Sequence, residues 1–478
     1  MGADGHTGDR AIEDLRARFD ALHRASRRGV ARSYDERAAD LRRLAAVVLR
    51  RQDDVVRAVS ADFGHRSRHE TLLAEVFTTV QSIEHTLDHL AEWMGPAPRP
   101  VRWLFQPGTA EILPQPLGVV GIIGPWNYPF QLLVAPLVYA LAAGNRVLLK
   151  PSEFVPGISA LVAEVVRECF PEDQVAIVDG GADLAAAFSS LPFDLLFFTG
   201  STRVGRHVMR AAAENLTPVV LELGGKSPAL VTPGASVPSA AVSIMTGKLF
   251  NAGQTCIAPD YALVPRDARD AFVVACKAAA ARLYPTMAAN DDYTAVVNDA
   301  HRARLRALVE DARGKGATVV PLAPAGESFE GLPKLAPVLL LDVDDGMDVM
   351  REEIFGPILP VVPYGGLDEA ISYVNDRPRP LALYPFGDDA AVLDDVIART
   401  VSGGVSVNET MFHFAQEDLP FGGVGASGMG HYHGREGFEA FSKLKPVFRQ
   451  PKVNGSFLLR PPFGHAIETA LRLLLPKR

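Results

Sequence analysis

The sequence predicts an α/β protein organised around a doubly wound parallel sheet, with a second α/β block after it. From about residue 110 to residue 224, short apolar runs alternate with helical patterns in a repeated β-α-β rhythm. Runs such as Leu117–Ile123 contain only apolar residues and glycine, which is typical of parallel strands buried on both faces. Polar and glycine-rich turns follow several of these runs. Because parallel sheets bind ligands at the carboxyl ends of their strands, we expect the functional site at that edge.

Helical periodicity occupies the chain before the sheet. Residues 1 to about 10 are small and polar and predict a disordered start. Two apolar helix faces follow, separated by a capping-box pattern at Ser33 and Glu36. The proline-rich run Gly95–Pro100 interrupts this pattern and predicts a linker or crossover.

Strands and helices then alternate through both α/β blocks. In the first block the predicted strands are Ala110–Pro114, Leu117–Ile123, Val147–Lys150, Val175–Val178, Leu195–Phe198 and Val219–Leu223. The helices between them are Phe130–Ala143, Ile158–Phe170, Leu184–Ser189 and Arg203–Glu214. In the second block the predicted helices are Ser236–Phe250, Asp270–Leu283, Asn298–Ala312 and Leu367–Val374. Its predicted strands are Tyr261–Val264, Thr318–Leu322, Ile358–Val362 and Gly403–Val407.

Composition is that of an ordinary globular protein and argues against several classes. With 478 residues the chain exceeds the usual size of one core, so two or three domains are expected. The net charge is −8, and the sequence has no basic stripe with interleaved aromatics, so a nucleic-acid partner is not expected. No apolar run approaches the ~20 residues of a membrane span, and the N-terminus lacks a secretory signal pattern. We expect a cytoplasmic protein.

The chain has 3 cysteines, Cys169, Cys256 and Cys276, spaced too widely for a disulfide framework or a metal site. Such sparse use suits a reducing compartment. Cys169 and Cys276 lie in helix-like apolar runs and are expected to be buried hydrophobes. Cys256 differs because the preceding residues, Asn251–Thr255, form a polar, glycine-containing loop after a helix. Backbone amides in such a loop can stabilise a thiolate, so Cys256 is a candidate nucleophile.

Two further polar residues stand out at strand ends. Glu222 ends an apolar run, where a carboxylate is costly to bury unless it has partners or a task. It is either a salt-bridged structural acid or a general base for water. Asn127 follows the run Leu117–Ile123 and is either a turn former or a donor to an oxyanion.

Two loops carry weak cofactor signals. The run Lys150–Glu153 follows one strand, and the glycine-containing run Gly200–Gly205 opens a helix after another. A loop of the second kind can hold a pyrophosphate on free backbone N–H groups. Neither contains the common G-x-G-x-x-G fingerprint, so each signal alone is weak.

Taken together, these stretches resemble the aldehyde dehydrogenase superfamily. The matching runs are Pro125–Phe130, Lys150–Glu153, Phe198–Thr202, Glu222–Pro228, Asn251–Cys256, Glu352–Pro357 and Pro420–Gly423. They occur in the family's order over about residues 60 to 445, which makes a chance match negligible. The runs Gln254–Tyr261 and Gly428–Gly434 resemble the class 3 branch, the coniferyl aldehyde dehydrogenase type first and fatty aldehyde dehydrogenases next.

The resemblance implies roles for individual residues. Cys256 would be the nucleophile, Asn127 with the Cys256 backbone N–H the oxyanion hole, and Glu222 the base that hydrolyses a thioester. The implied cofactor residues are Lys150 and Glu153 at the adenosine ribose, Ser201 at the pyrophosphate, and Glu353 with Phe355 at the nicotinamide ribose and ring. Gly200, Gly205 and Trp126 are further implied cofactor residues. The implied substrate pocket contains Tyr128, Thr255 and Ile257, with Phe412 nearby.

The implied cofactor is NAD, because a 2′-phosphate would meet the carboxylate of Glu153, although this branch leaves NADP use open. Arg203 departs from the family pattern at the phosphate-side helix and could alter cofactor affinity. The implied reaction oxidises an aldehyde, aromatic such as coniferyl aldehyde or medium-chain aliphatic, to the acid. Two alternatives stay open: a CoA-acylating dehydrogenase, which Glu222 argues against, and a homologue that has kept the fold without activity.

The resemblance also implies a domain plan and a homodimer, and a tetramer stays open. A Rossmann-type NAD(P)-binding domain would comprise 1–96 and 118–224, and a catalytic α/β domain 225–435. A small β oligomerisation element would comprise 97–117 and 436–452. The tail 453–478 has an amphipathic look, from Ile467, Leu471, Leu474 and Leu475. It is too short to span a bilayer, so core packing or a lid over the substrate mouth is expected.

Overall fold

The fold begins with helices and then combines strands with helices, in a computed structural model that describes residues 3–28, 31–455 and 460–475. The described α-helices are α1 (Ala3–Arg28), α2 (Tyr34–Arg50), α3 (Gln52–Asp62), α4 (Arg68–Thr71), α5 (Thr78–Met94), α6 (Gln131–Ala142), α7 (Pro156–Cys169), α8 (Ala182–Ser189), α9 (Thr202–Ala213), α10 (Val237–Leu249), α11 (Arg269–Leu283), α12 (Asp299–Gly314), α13 (Asp348–Arg351), α14 (Leu367–Asn375), α15 (Ala390–Arg399), α16 (Gly434–Ala440) and α17 (His465–Leu474). A π-helical segment, Leu72–Phe77, joins α4 to α5.

The described strands are β1 (Ala97–Arg99), β2 (Thr109–Pro116), β3 (Val119–Ile123), β4 (Arg146–Lys150), β5 (Val175–Ile177), β6 (Leu195–Thr199), β7 (Val219–Glu222), β8 (Pro228–Val231), β9 (Tyr261–Pro265), β10 (Thr318–Pro321), β11 (Val338–Leu341), β12 (Ile358–Tyr364), β13 (Ala382–Phe386), β14 (Gly404–Val405), β15 (Gly428–Met429) and β16 (Ser442–Arg449). Within the described residues they form three sheets.

The first sheet has the order β15-β7-β6-β3-β4-β5, in which all neighbours except β15 and β7 are parallel. The chain runs outward from β3 through β4 to β5, then returns to place β6 on the other side of β3. This reversal between β3 and β6 is a topological switch point, where such sheets bind ligands. The predicted doubly wound parallel sheet is therefore confirmed.

Helices cover this sheet because its strands are apolar on both faces. Leu15, Phe19 and Leu22 of α1 are buried against it, so the helix face predicted there is real. The predicted disordered start is wrong from residue 3, where α1 begins, while residues 1–2 lie outside the described range. The capping box of Ser33 and Glu36 forms at the start of α2 as predicted.

The second sheet has the order β10-β11-β12-β9-β8-β13-β14 and is parallel except where β10 meets β11. Sequence patterns missed β8, β11 and β13 among its strands, together with α15. The missed strands are only 4 or 5 residues long. Pro228 in β8 and Pro385 in β13 weaken the strand signal of those two segments further. Only their position inside the sheet makes the three segments strands.

A third sheet pairs two segments that are far apart in sequence. Strand β2 lies between β1 and β16, antiparallel to both, and its long pairing with β16 runs from Thr109 opposite Arg449 to Pro116 opposite Ser442. The stretch near residues 105–116 and the segment after Phe441 are thus joined, as expected. The role of this sheet in pairing subunits stays a prediction.

The tail carries the amphipathic helix α17. Leu471 and Leu475 are 46% and 62% exposed, so these residues are not packed into the core as one expectation had it. Residues 456–459 and 476–478 of the predicted tail, and the side chain of Leu474, lie outside what is described. In the described ranges, none of the helices has both the length and the apolar character of a bilayer span.

Candidate active site

The first sheet brings two of the predicted groups to one edge. Asn127 lies in the turn that follows β3, and Glu222 is the last residue of β7. Strand β6 lies between β3 and β7 and is parallel to both, so the carboxyl ends of these strands meet at the same edge. The backbone there is also joined, since Gly200 N–H donates to the Glu222 carbonyl at 3.0 Å.

Cys256 enters the site through an unusual turn at the end of α10. Asn251, Ala252 and Gly253 have φ values of +52°, +50° and +73°, the left-handed region that L-residues avoid. At Gly253 a Cβ would lie 2.4 Å from the Gly356 carbonyl oxygen, so only glycine fits. Such backbone strain persists when the surroundings fix it, and it is concentrated at functional sites.

The amide of Asn127 reaches this turn. Its Nδ2 donates to the carbonyl of Gln254 at 3.1 Å, two residues before Cys256. An amide nitrogen carries two hydrogens, so the second N–H of Asn127 is suited to an oxyanion. The side chain is 3% exposed, which removes competing water.

The thiol of Cys256 is partly exposed and lies near two carboxylates. Burial, together with the negative charges of Glu353 and Glu222, raises its pKa to about 12. The backbone N–H groups of Cys256 and Ile257 act in the opposite direction, as expected for a loop that stabilises a thiolate, but burial is the larger effect. The resting thiol at neutral pH is therefore protonated, and nucleophilic attack needs a proton acceptor.

Glu222 is buried without a partner. It is 3% exposed, and neither carboxylate oxygen makes a hydrogen bond. Burial alone raises its pKa well above the usual value. The structural alternative, a salt-bridged acid, is therefore not what the structure contains. Carboxylates that act as general bases commonly have a pKa raised in this way.

Glu353 approaches the same place from the second block. Its carboxylate lies against Gly224, where a Cβ would be only 2.1 Å from Oε1, and that oxygen is buried without a partner. Burial raises its pKa to about 8, aided by the charge of Asp260. An unpaired acceptor that faces a glycine cradle fits a ligand hydroxyl, such as that of a ribose.

Aromatic rings connect Glu353 to the cofactor side of the first sheet. Trp126 packs edge-on to Phe355, with ring centroids 5.3 Å apart, and to His301 at 4.8 Å. His301 also packs against Phe154, beside Glu153, at 6.1 Å. Sequence reasoning missed His301, because nothing in its helical neighbourhood distinguishes it from a surface residue.

The remaining predicted cofactor residues lie at the carboxyl ends of β4 and β6. Lys150 Nζ is buried and bonds Glu153 Oε2 at 3.2 Å, while Glu153 faces solvent. Ser201 caps α9, accepting the Val204 N–H at 3.4 Å. At Gly205 a Cβ would lie 2.7 Å from Leu223 Cδ2, which explains the glycine. The ammonium of Lys150, the carboxylate of Glu153 and the start of α9 at Ser201 all lie at this edge of the sheet. Together they suit the ribose hydroxyls and the pyrophosphate of a dinucleotide.

The predicted pocket residues Tyr128, Thr255 and Ile257 are buried beside Cys256. Tyr128 and Thr255 share a hydrogen bond of 2.6 Å between their hydroxyls, and Tyr384 donates to the Ile257 carbonyl at 2.5 Å. Burial raises the pKa of Tyr384 and of Tyr432, and an electrostatic interaction with Cys256 adds to this effect in both. Both side chains therefore also lie near the sulfur. Sequence reasoning assigned no role to either tyrosine: Tyr384 lies in an apolar run, and Tyr432 lies in a run of glycines and histidines.

Phe412, which the sequence placed near the pocket, is 61% exposed. The described contacts do not link its ring to Cys256 or to the three predicted pocket residues. Its place in the pocket therefore gains no support from the structure.

Sequence reasoning also missed a buried layer of charge beneath the two active-site loops. Arg66, Glu70 and Glu75 are 2%, 5% and 0% exposed. The Arg66 Nη1 bonds Glu75 at 2.9 Å and the Asn127 carbonyl at 2.8 Å. Glu75 in turn accepts the Phe130 N–H at 2.8 Å. The available signal was the π-helical segment that carries Glu75, a rare form often found at functional sites, but it is visible only in the structure.

Comparison with known proteins gives a consistent match over nearly the whole chain. The model of the aldehyde dehydrogenase family matches residues 6–447. A Pseudomonas aeruginosa protein named probable coniferyl aldehyde dehydrogenase is 51% identical over 433 residues, 91% of this chain and 90% of that protein. A coniferyl aldehyde dehydrogenase from a Pseudomonas species is 46% identical over 466 residues, 97% of this chain and 96% of that protein.

Solved structures agree with these relatives. The substrate-bound state of Staphylococcus aureus AldH has a TM-score of 0.91 and 35% identity, covering 96% of this chain and 99% of that one. A Mycobacterium tuberculosis aldehyde dehydrogenase complexed with NAD+ has a TM-score of 0.83 and 28% identity, covering 92% of this chain and 90% of that one. The chain therefore belongs to the aldehyde dehydrogenase family and is an NAD(P)-dependent oxidoreductase that acts on an aldehyde.

Proposed function

We propose that this enzyme oxidises an aromatic aldehyde of the coniferyl type, or a medium-chain aliphatic aldehyde, through a thioester on Cys256. The main support is that the Cys256 thiol lies close enough to Glu222 for the carboxylate charge to raise the pKa of the thiol. The Asn127 amide also donates a hydrogen bond to the Gln254 carbonyl, in the loop that carries Cys256. An assay of NADH absorbance with an aromatic aldehyde tests this function directly. Absence of NADH formation from every aldehyde tried would favour the alternative of an inactive homologue.

In the first step, Sγ of Cys256 bonds to the aldehyde carbon and the carbonyl π electrons move to oxygen. The thiol proton passes to water, because Cys256 is partly exposed. The second N–H of Asn127 and the backbone N–H of Cys256 donate to the new oxyanion, where charge develops in the transition state. Tyr128 and Thr255, whose hydroxyls share a hydrogen bond, line the pocket beside the reacting carbon.

The cofactor residues would hold the dinucleotide at the carboxyl edge of the first sheet. Lys150 and Glu153 would bind the adenosine ribose, and the start of α9 at Ser201 would bind the pyrophosphate. Glu353 would accept a hydrogen bond from the nicotinamide ribose, next to Trp126 and Phe355. When bound, NAD+ would supply the two-electron acceptor for the hydride that the adduct carbon loses as the thioester forms. The exposed carboxylate of Glu153 supports a preference for NAD over NADP, because a 2′-phosphate would repel it.

In the last step, Glu222 takes a proton from water, whose oxygen bonds to the thioester carbon while the C–S bond breaks. The carboxylic acid leaves, and the sulfur regains a proton from Glu222, which returns to its ionised form. A CoA-acylating enzyme would need a thiol acceptor in place of water and no base at this position. Glu222, buried and unpaired beside Cys256, supports hydrolysis instead.

Replacing Asn127 with alanine is expected to lower kcat by on the order of 10²–10³, the usual cost of losing one oxyanion donor. The thermal unfolding midpoint should fall only slightly, because Asn251 also donates to Gln254 O at 3.1 Å and keeps the turn. Steady-state kinetics with one good aldehyde and saturating NAD check this. A variant with normal kcat would show that Asn127 only forms the turn.

The apolar walls and the names of the relatives support a substrate with an aromatic or alkyl body. We expect higher kcat/KM for cinnamaldehyde-like, benzaldehyde-like and medium-chain aldehydes than for charged semialdehydes. The ratio should be about tenfold or more, since burying an unpaired charge in such a pocket is costly. A panel of these aldehydes, run with NAD and NADP in parallel, measures both preferences. Faster turnover of a charged semialdehyde would contradict the assignment.

We also propose the domain plan inferred from the sequence, with the first sheet as cofactor domain and the second as catalytic domain. The three-stranded sheet is proposed to join two subunits in a homodimer, which sedimentation of the full chain would test. The three free cysteines support a reducing, cytoplasmic location, which fractionation of cells would test.

A further inference from the structure

Glu70 is buried directly beneath the turn that delivers the nucleophile. Its Oε1 accepts the backbone N–H of Asn251 at 3.0 Å, across 181 residues of sequence. Its Oε2 accepts the hydroxyl of Thr294 at 2.5 Å, and Thr294 itself accepts the Ser67 N–H at 3.1 Å. Both oxygens of Glu70 are therefore used, and both bonds cross to other parts of the chain.

The hydrogen bond from Glu70 to the Asn251 N–H lies at the start of the strained turn. Asn251 is the first of the three consecutive left-handed residues, and its N–H is buried. A buried N–H without a partner would favour a relaxed turn, because the lost hydrogen bond could then be regained elsewhere. The strained turn in turn sets the direction of Gln254 and, two residues later, of Cys256.

The surroundings of Glu70 keep its position defined. Its own N–H donates to the Ser67 hydroxyl at 3.3 Å, which starts the helix that carries it. Arg66 lies four residues earlier, stacked over the Tyr128 ring at 4.8 Å, and its charge acts on Glu70. The same short segment thus touches the Asn127 loop through Arg66 and the Cys256 loop through Glu70.

We propose that Glu70 is a positioning residue for the reaction, holding the left-handed turn so that the Cys256 sulfur meets the substrate carbon beside Asn127. The inference rests on the proposed function, in which Cys256 is the nucleophile. Glu70 acts through the Asn251 N–H and touches neither substrate nor cofactor. The length of the Glu70 side chain decides whether its Oε1 comes within hydrogen-bond distance of the Asn251 N–H.

Two conservative variants separate reach from charge. Glu70→Gln keeps the length and an oxygen for the Asn251 N–H but removes the charge. Glu70→Asp keeps the charge but withdraws the carboxylate by one methylene. We expect Glu70→Asp to lower kcat about 10- to 100-fold, since misplacing a reacting atom by ~1 Å can cost on the order of 10². Glu70→Gln should stay within about fivefold of the wild type, while KM for NAD changes little in both.

The second measurement is the rate at which iodoacetamide alkylates Cys256, followed by mass mapping of the peptide. In folded enzyme this rate depends on the position of Cys256 and is not changed by a general loss of stability. It should change in Glu70→Asp and return towards wild type in Glu70→Gln. Asp62→Asn is the matched control. Its carboxylate also accepts backbone N–H groups from a distant segment, those of Gly157 and Ile158 at 2.9 and 2.8 Å, and lies outside the site.

Wild-type kcat and alkylation in a folded Glu70→Asp variant would overturn the proposal, as would an equal loss in Glu70→Gln and Glu70→Asp. An equal loss in Asp62→Asn would also overturn it, since the effect would then be a general one. Cys256→Ala distinguishes this failure from failure of the proposed function. If Cys256→Ala keeps activity, the proposed mechanism is wrong; if it is inactive while Glu70→Asp is normal, only the role of Glu70 is wrong.

Discussion

Replacing Cys256 with alanine is expected to abolish turnover, lowering kcat on the order of 10⁴-fold or more. Without the sulfur no covalent adduct can form, and the remaining groups act on no bound intermediate. The fold should persist, because Cys256 is partly exposed and removing its thiol leaves little cavity. NADH production with a good aldehyde measures the loss, and a thermal melt verifies the fold.

Cys169→Ala is the matched control for this variant. Cys169 is a second free thiol, 3% exposed in α7 and outside the site, and its loss should leave kcat near the wild-type value. Mass spectrometry of wild-type enzyme trapped during turnover should locate the acyl group on the peptide that carries Cys256. An acyl group found elsewhere, or normal NADH production by Cys256→Ala, would end the proposed mechanism.

Glu222→Gln is expected to stop the cycle after the first half. The thioester should form and release about one equivalent of NADH per site, after which turnover slows by on the order of 10²–10⁴, the usual contribution of a general base. Rapid mixing should show this burst, and acyl-enzyme should accumulate. Turnover limited by formation of the thioester would instead give slow NADH release without a burst.

The pH dependence gives the same prediction a second test. Burial raises the pKa of Glu222 well above its usual value, and only the ionised carboxylate can accept a proton from water. Wild-type hydrolysis of the thioester should therefore rise with pH through that raised pKa and fall below it, whereas Glu222→Gln should lack this dependence. Adding CoA distinguishes the rival reaction. Full CoA-dependent turnover by Glu222→Gln would indicate acyl transfer to CoA, with Glu222 in a structural role.

Much of the fold could be predicted because the signals are local. The rhythm of buried strands and helices gave β3, β4, β6 and β7, and the polar residues at their ends gave the candidate groups. Strands β8, β11 and β13 were missed because a short apolar run has the same pattern in a loop, a helix or a sheet, and β8 and β13 also contain a proline. Their neighbours decide the matter: β8, for example, is a strand because β9 and β13 pair with it.

The sequence alone determined which chemical groups this protein has available, namely a loop thiol, a strand-end carboxylate and a turn amide, since each is marked by its immediate neighbours. Tertiary structure alone decided their state and their support. A pKa depends on how much water surrounds a group, so the protonated thiol and the raised pKa of Glu222 follow from burial and not from residue type. Likewise, Glu70 meets Asn251 only because folding brings together positions 181 residues apart, and no local pattern can encode such a contact.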